Sequence, residues 1–145
     1  MPTGNPGISR CSYANATSGA EVGWRRLYNA YHYEANSGNI LTLEIFKQIA
    51  AQNCHYCNVP APRMNSFGNV YRKNIGVTKE RWEEYFIYAN GIDKIVPGKS
   101  YADLSNLVPC CKTCNFMKGK FSYIEFLASI ERISNYQRSL LCQEV

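Results

Sequence analysis

Apolar residues recur at helical spacing in two places near the start of this chain. Trp24, Leu27, Tyr28 and Tyr31 lie three and four positions apart. That spacing predicts an amphipathic helix from about residue 21 to 35, with Arg25 and Arg26 off its apolar face. Ser37-Gly38-Asn39 breaks it. Thr42 then fits an N-cap for a shorter helix to about residue 52, burying Leu43, Phe46 and Ile49. The stretch from Val59 to Gly76 is loop-like and basic. Thr78 is the next cap, for a short helical stretch to Glu84. From Tyr85 to Ile95 the aromatic and β-branched residues predict a strand, interrupted at Asn90-Gly91. Pro97-Gly98-Lys99-Ser100 is a turn, and Leu104 to Cys110 a second extended piece. A helix follows from about Cys111 and carries Asn115 and Lys118. Ser122-Tyr123-Ile124-Glu125 is a capping box that opens a last helix, with Ile124, Leu127, Ile130 and Ile133 on its core side. The expected class is α+β, mostly helix with one small hairpin. Residues 1–19, rich in Gly, Pro, Ser, Asn and Thr, are expected to be a mobile lead-in to a single domain over 20–145.

Composition narrows the class. Of 145 residues, 46% are hydrophobic and only 19% charged, which suits one core and excludes a wholly disordered chain or a coiled coil. No apolar run reaches the roughly 18 residues of a membrane span. The first residues, MPTGNPGISR, lack the apolar stretch of a secretory signal. The expectation is a cytoplasmic protein with no membrane partner, acting as a monomer or homodimer. Sixteen basic and eleven acidic residues leave a net charge of +5. Ten Lys/Arg against five Asp/Glu fall between Arg63 and Lys120, so that segment carries the whole excess. A polyanionic partner fits this, although +5 is also ordinary for a globular protein.

The seven cysteines are more selective: Cys11, Cys54, Cys57, Cys110, Cys111, Cys114 and Cys142. An odd number argues against a disulfide scaffold. Four of them make two C-x-x-C pairs, Cys54 with Cys57 and Cys111 with Cys114, separated by 53 residues. Two such pairs predict one structural zinc with four thiolate ligands and no open position for catalysis. Redox thiols are the alternative. Cys110 adjoins Cys111 and competes for its place, but the x-x spacing favours Cys111.

Between and within these pairs stand Asn90-Gly91-Ile92-Asp93-Lys94-Ile95-Val96-Pro97, then Asn106-Leu107, then Cys111-Lys112-Thr113-Cys114-Asn115-Phe116-Met117-Lys118-Gly119. In this order and spacing the chain resembles the HNH endonucleases, whose pattern runs D-H-I-x-P, N-L, C-x-x-C-[HN]-x-x-K-G after an upstream C-x-x-C. The resemblance covers about residues 46–120 and extends to phage-like members with an upstream L-T-x-E-x-F segment, here Leu41 to Phe46. It implies a small zinc-stapled ββα-metal (His-Me finger) domain with flanking helices. It also implies metal-dependent hydrolysis of DNA phosphodiesters to 5′-phosphate and 3′-hydroxyl ends. Asp93 takes the position of the metal-binding acid and Asn106 that of the loop-bracing Asn. Asn115 completes the metal site, and Lys118 matches the basic position of the helix.

The chemistry agrees with these residue types. Phosphodiester cleavage needs charge neutralised on the phosphate and a water deprotonated in line with the leaving oxygen. Mg²⁺ or Mn²⁺ accepts one or two protein oxygens, and Asp93 with Asn115 supplies a carboxylate and an amide. The departure is Lys94, which stands where the family places its water-activating His. Lysine is a poor base near neutral pH and a natural phosphate grip. The base then comes from elsewhere, with Tyr56 and His55 inside the first knuckle as candidates. Arg63, Arg72, Lys73, Lys99, Lys112, Lys118 and Lys120 are candidate nucleic-acid contacts, joined by Arg25 and Arg26. DNA is the expected partner and RNA the alternative. Against the enzyme stands a non-catalytic, zinc-bound nucleic-acid-binding module derived from a degenerate HNH fold. A protein-interaction zinc ribbon fits less well, because it leaves Asp93 and Asn115 unexplained.

Overall fold

Thr42, Thr78 and Ser122 each accept a hydrogen bond from the amide three residues on, and each starts a helix. These are the three caps expected from the sequence. The computed structural model describes residues 18–30, 37–67 and 76–142. In chain order it comprises α1 (Gly19–Ala30), α2 (Leu43–Ala50), β1 (Arg63–Asn65), α3 (Lys79–Glu83), β2 (Phe86–Tyr88), β3 (Gly91–Lys94), a 3₁₀ turn (Leu104–Asn106), β4 (Leu107–Cys110), α4 (Lys112–Lys118) and α5 (Tyr123–Leu141). The class is α+β. The expected lead-in, the end of the first helix, Cys11, Arg72 and Lys73 lie outside the described residues.

Two antiparallel pairs replace the single hairpin. β1 pairs with β2 and β3 with β4. The first is a correction, because Arg63–Asn65 reads as loop in the sequence. Its three residues alternate too briefly to show a period, and partners supplied by Phe86–Tyr88 make it a strand. The break at Asn90-Gly91 is where the chain leaves one sheet for the other. Asn90 is buried there, with its amide nitrogen on the Gln52 carbonyl at 2.8 Å and its backbone N–H on the Ala50 carbonyl at 2.7 Å.

The main core lies between α1, α2 and the strands. Leu27, Tyr28, Leu41, Phe46, Ala50, Ile87, Ala89, Ile92 and Leu107 are buried in it. Trp24 meets Phe46 edge to face, and the Tyr28 hydroxyl donates to the Leu41 carbonyl. Gly23 allows α1 to lie directly on the Tyr85 carbonyl, where any Cβ would collide. A smaller cluster of Val22, Phe67, Trp82 and Tyr85 closes the far side. α5 departs from expectation. Ile124, Leu127, Ile130 and Ile133, assigned to the core, are all exposed, and Phe126 is the buried residue of this helix. Helical periodicity reveals an apolar stripe but not whether this chain covers it. Among the described residues, no helix is long and apolar enough to cross a membrane.

Candidate metal centre and adjoining carboxylate

The first knuckle is a tight turn. Asn58 takes a positive φ of 61° and donates its N–H to the Cys54 carbonyl at 2.9 Å, while the Cys54 N–H reaches the Val59 carbonyl. The His55 N–H bonds the Pro109 carbonyl at 2.8 Å, which fastens the knuckle to β4. The second knuckle begins where β4 ends. Cys111 is the N-cap of α4, and its sulfur accepts from the Cys114 N–H at 3.3 Å. The four sulfurs of Cys54, Cys57, Cys111 and Cys114 lie within 4.8 Å of one another, with Cys57 and Cys111 3.8 Å apart. A tetrahedral zinc with bonds near 2.3 Å needs sulfur edges of about 3.8 Å, so the donor set fits a structural ion. Burial opposes a Cys54 thiolate, but the backbone N–H groups of Cys111, Cys57 and Tyr56 outweigh it and bring the thiol down to about 6. Cys110 is not in the cluster. Its thiol is buried, donates to the Cys111 carbonyl and is pushed up by burial and by the neighbouring negative groups. The x-x spacing thus selects the cysteine that joins the cluster.

A strand–strand–helix run, β3, β4 and α4, grows out of this cluster. Asp93 sits on β3 opposite Val108. Its Oδ2 accepts the Tyr56 hydroxyl at 2.6 Å and pairs with the Lys118 ammonium at 3.1 Å. Lys118 comes from the last turn of α4 and also donates to the Lys94 carbonyl at 3.0 Å. Its side chain is 0% exposed and that of Asp93 only 10%. Lys118 was expected as a nucleic-acid contact. It faces inward and ties α4 to β3, so that expectation is corrected. Burial, then the bond to Asp93, pushes the Tyr56 hydroxyl well above the usual range, so it is held as a phenol that donates to the carboxylate. Tyr123 and Phe126 of α5 wall in its ring, at 5.9 and 5.4 Å. The sequence reading missed this pair. Their signal was an aromatic i, i+3 pair in the first turn of a capped helix.

The remaining expected residues divide by surroundings. Asn106 is buried and braces the loop before it, taking the Val96 N–H at 2.8 Å and giving its amide to the Val96 carbonyl at 3.0 Å. Asn115 is exposed, one helical turn before Lys118. The Lys94 ammonium lies 4.9 Å from the centre of the Tyr101 ring. His55 is exposed and leans on the Tyr56 and Tyr123 rings. Arg63 pairs with Glu83 and stacks on Phe86, and Lys99 pairs with Asp103, so both are partly engaged within the protein. Arg25 pairs with Glu21 and Arg26 lies over Phe67. Lys112 and Lys120 are exposed. Comparison with protein-family models, with curated proteins and with solved structures finds no match for this chain.

Proposed function

We propose that this chain is a metal-dependent endonuclease of the HNH type, hydrolysing DNA phosphodiester bonds from a site centred on Asp93. The observation that carries the reading is the placement of a nearly buried carboxylate on the strand–strand–helix run that the four cysteines staple. Among the described residues, both bonds to that carboxylate end on Oδ2. Tyr56 and Lys118 therefore fix its orientation while Oδ1 takes no bond among the described residues. Asp93 and Asn115 would hold Mg²⁺ or Mn²⁺ through oxygen donors, as a hard cation prefers. Such an ion supplies charge neutralisation at the phosphate and lowers the pKa of a bound water. Lys94, on the neighbouring strand position, would grip the scissile phosphate as a cation. Tyr56 serves as a positioning residue for Asp93, since a phenol held above its usual range is a poor base. Exposed Lys112 and Lys120 would add salt-dependent phosphate contacts.

A second reading has specific support. Lys94 in place of a histidine, with Tyr56 held as a phenol against Asp93, equally suits a nucleic-acid-binding zinc module without catalysis. Plasmid nicking by zinc-loaded protein with Mg²⁺ or Mn²⁺, against an EDTA control, separates the two. Nicking that needs the divalent ion and disappears in Asn115→Ala supports the enzyme. Tight DNA or RNA binding with no cleavage under any ion assigns the chain to the binding module.

A further inference from the structure

We propose that Phe116 stacks on an unpaired base of the bound DNA, so that the substrate is a single strand or a duplex carrying an unpaired base. The proposal rests on the nucleic-acid reading above and adds the form of the DNA. α4 turns Cys114 and Lys118 into the domain, where both are buried. Phe116 stands two residues from each, so it leaves the helix on the opposite side. It is 88% exposed, more than any other large apolar residue among those described. An aromatic ring so fully in water gains from any flat apolar surface laid against it.

The surroundings of the ring identify the occupant. Lys112 is exposed one turn before Phe116 on the same face, and Lys120 is exposed just past the helix. No acidic residue falls between Lys112 and Lys120. Asp93 pairs with Lys118, and among the described residues Lys112 and Lys120 have no acidic partner. Around the helix, Asn115, Lys112 and Phe116 follow one another over about 100°. A strand whose phosphate meets the Asn115 edge therefore passes Lys112 before a neighbouring base reaches Phe116. An aromatic ring among uncompensated lysines suits a strand with an anionic backbone and free base faces. An apolar pocket on a protein partner would cover the ring but give the lysines nothing to meet. Magnitudes then select the form of the DNA. Stacking on one base strengthens binding about ten- to a hundredfold. Unstacking a base within a duplex costs about as much. One ring thus gains little on an intact duplex and has its full effect where the base is already free.

Titration of the zinc-loaded chain, without added Mg²⁺ or Mn²⁺, into DNA carrying the fluorescent base 2-aminopurine tests it. One labelled strand is used alone, in a fully paired duplex and in a duplex with a mismatch at the label. Wild type should bind the single strand and the mismatched duplex about tenfold or more tighter than the paired duplex, and should quench the label. Phe116→Ala should lose that preference and the quenching, with zinc content and melting temperature unchanged. Phe116→Trp should keep both, whereas Phe116→Leu, apolar but without a π-face, should lose both. Lys112→Ala should weaken all three complexes alike and lower the salt dependence by about one counterion. Binding of all three DNAs with no preference, or a preference that survives Phe116→Ala, overturns the proposal and leaves the nucleic-acid reading standing. Phe116→Leu equal to wild type also overturns it, because the ring then acts by bulk and not by stacking. No binding to any DNA or RNA overturns both readings, and the ring is then left to a protein partner.

Discussion

Removing the Asp93 carboxylate should unfold the protein more readily, whatever it does to catalysis. The Lys118 side chain is fully buried, with the Asp93 carboxylate at 3.1 Å and the Lys94 carbonyl at 3.0 Å. Asp93→Ala leaves that ammonium one neutral acceptor in a site closed to water. Breaking a buried ion pair from one side typically costs about 3–5 kcal/mol. The Tyr56 hydroxyl loses its 2.6 Å acceptor in the same step, which adds about 1–2 kcal/mol. Against the roughly 5–15 kcal/mol that holds a domain together, this is a large fraction. Lys118→Met in the Asp93→Ala background removes the orphaned charge at similar volume, so the double variant should recover about 2 kcal/mol or more. The assay is urea unfolding at saturating zinc, followed through Trp24 and Trp82. Asp93→Ala within about 1 kcal/mol of wild type would refute the reasoning, as would a double variant no more stable than the single. Loss of cleavage in Asp93→Ala therefore needs a folding control before it counts as evidence of metal binding.

Asn115→Ala is the cleaner catalytic probe. The residue is exposed within a helix, so the substitution should leave stability unchanged or slightly raised while abolishing Mg²⁺-dependent nicking, as gel assay and thermal melting together would report. Cys111→Ser with Cys114→Ser should lose zinc by metal analysis, and strong chelators should unfold the core, whereas Cys110→Ser should retain the metal. Lys94→Ala should slow cleavage about a hundred- to a thousandfold with Lys94→Arg largely active, because a phosphate grip needs charge rather than a titrating proton. A dead Lys94→Arg would identify Lys94 as the base instead. Tyr56→Phe keeps the ring packing but removes the bond to Asp93, and its single-turnover rate should fall while zinc content stays at wild type.

Local signals carried much of this architecture. Thr42, Thr78 and Ser122 could be read as caps because a hydroxyl three residues before a helical amide is a contact within one turn. The paired cysteines were legible because a knuckle is equally local, and four thiolates admit few arrangements. What escaped the sequence depends on distant partners. Arg63–Asn65 becomes a strand because Phe86–Tyr88 offers it an edge. Lys118 looks like a solvent-facing base on a short helix until β3 sets Asp93 beneath it. The stripe on α5 is plain in the periodicity, yet nothing local says whether this chain or another covers it.

The cysteine cluster and the carboxylate are one mechanical unit. Tyr56 lies between the two cysteines of the first knuckle, so the loop that presents Cys54 and Cys57 also sets the height of its hydroxyl over β3. Lys118 lies on the helix that Cys111 caps and Cys114 anchors, so the second knuckle sets the position of its ammonium. The two groups that fix Asp93 thus come from the two halves of the cysteine cluster and converge on a single oxygen. A metal that draws the four sulfurs into a tetrahedron would hold both halves in register. Orientation of the carboxylate then follows from coordination geometry rather than from side-chain packing alone. A metal bound by four cysteines, with no open position of its own for chemistry, would in this way hold the carboxylate on which the proposed chemistry depends.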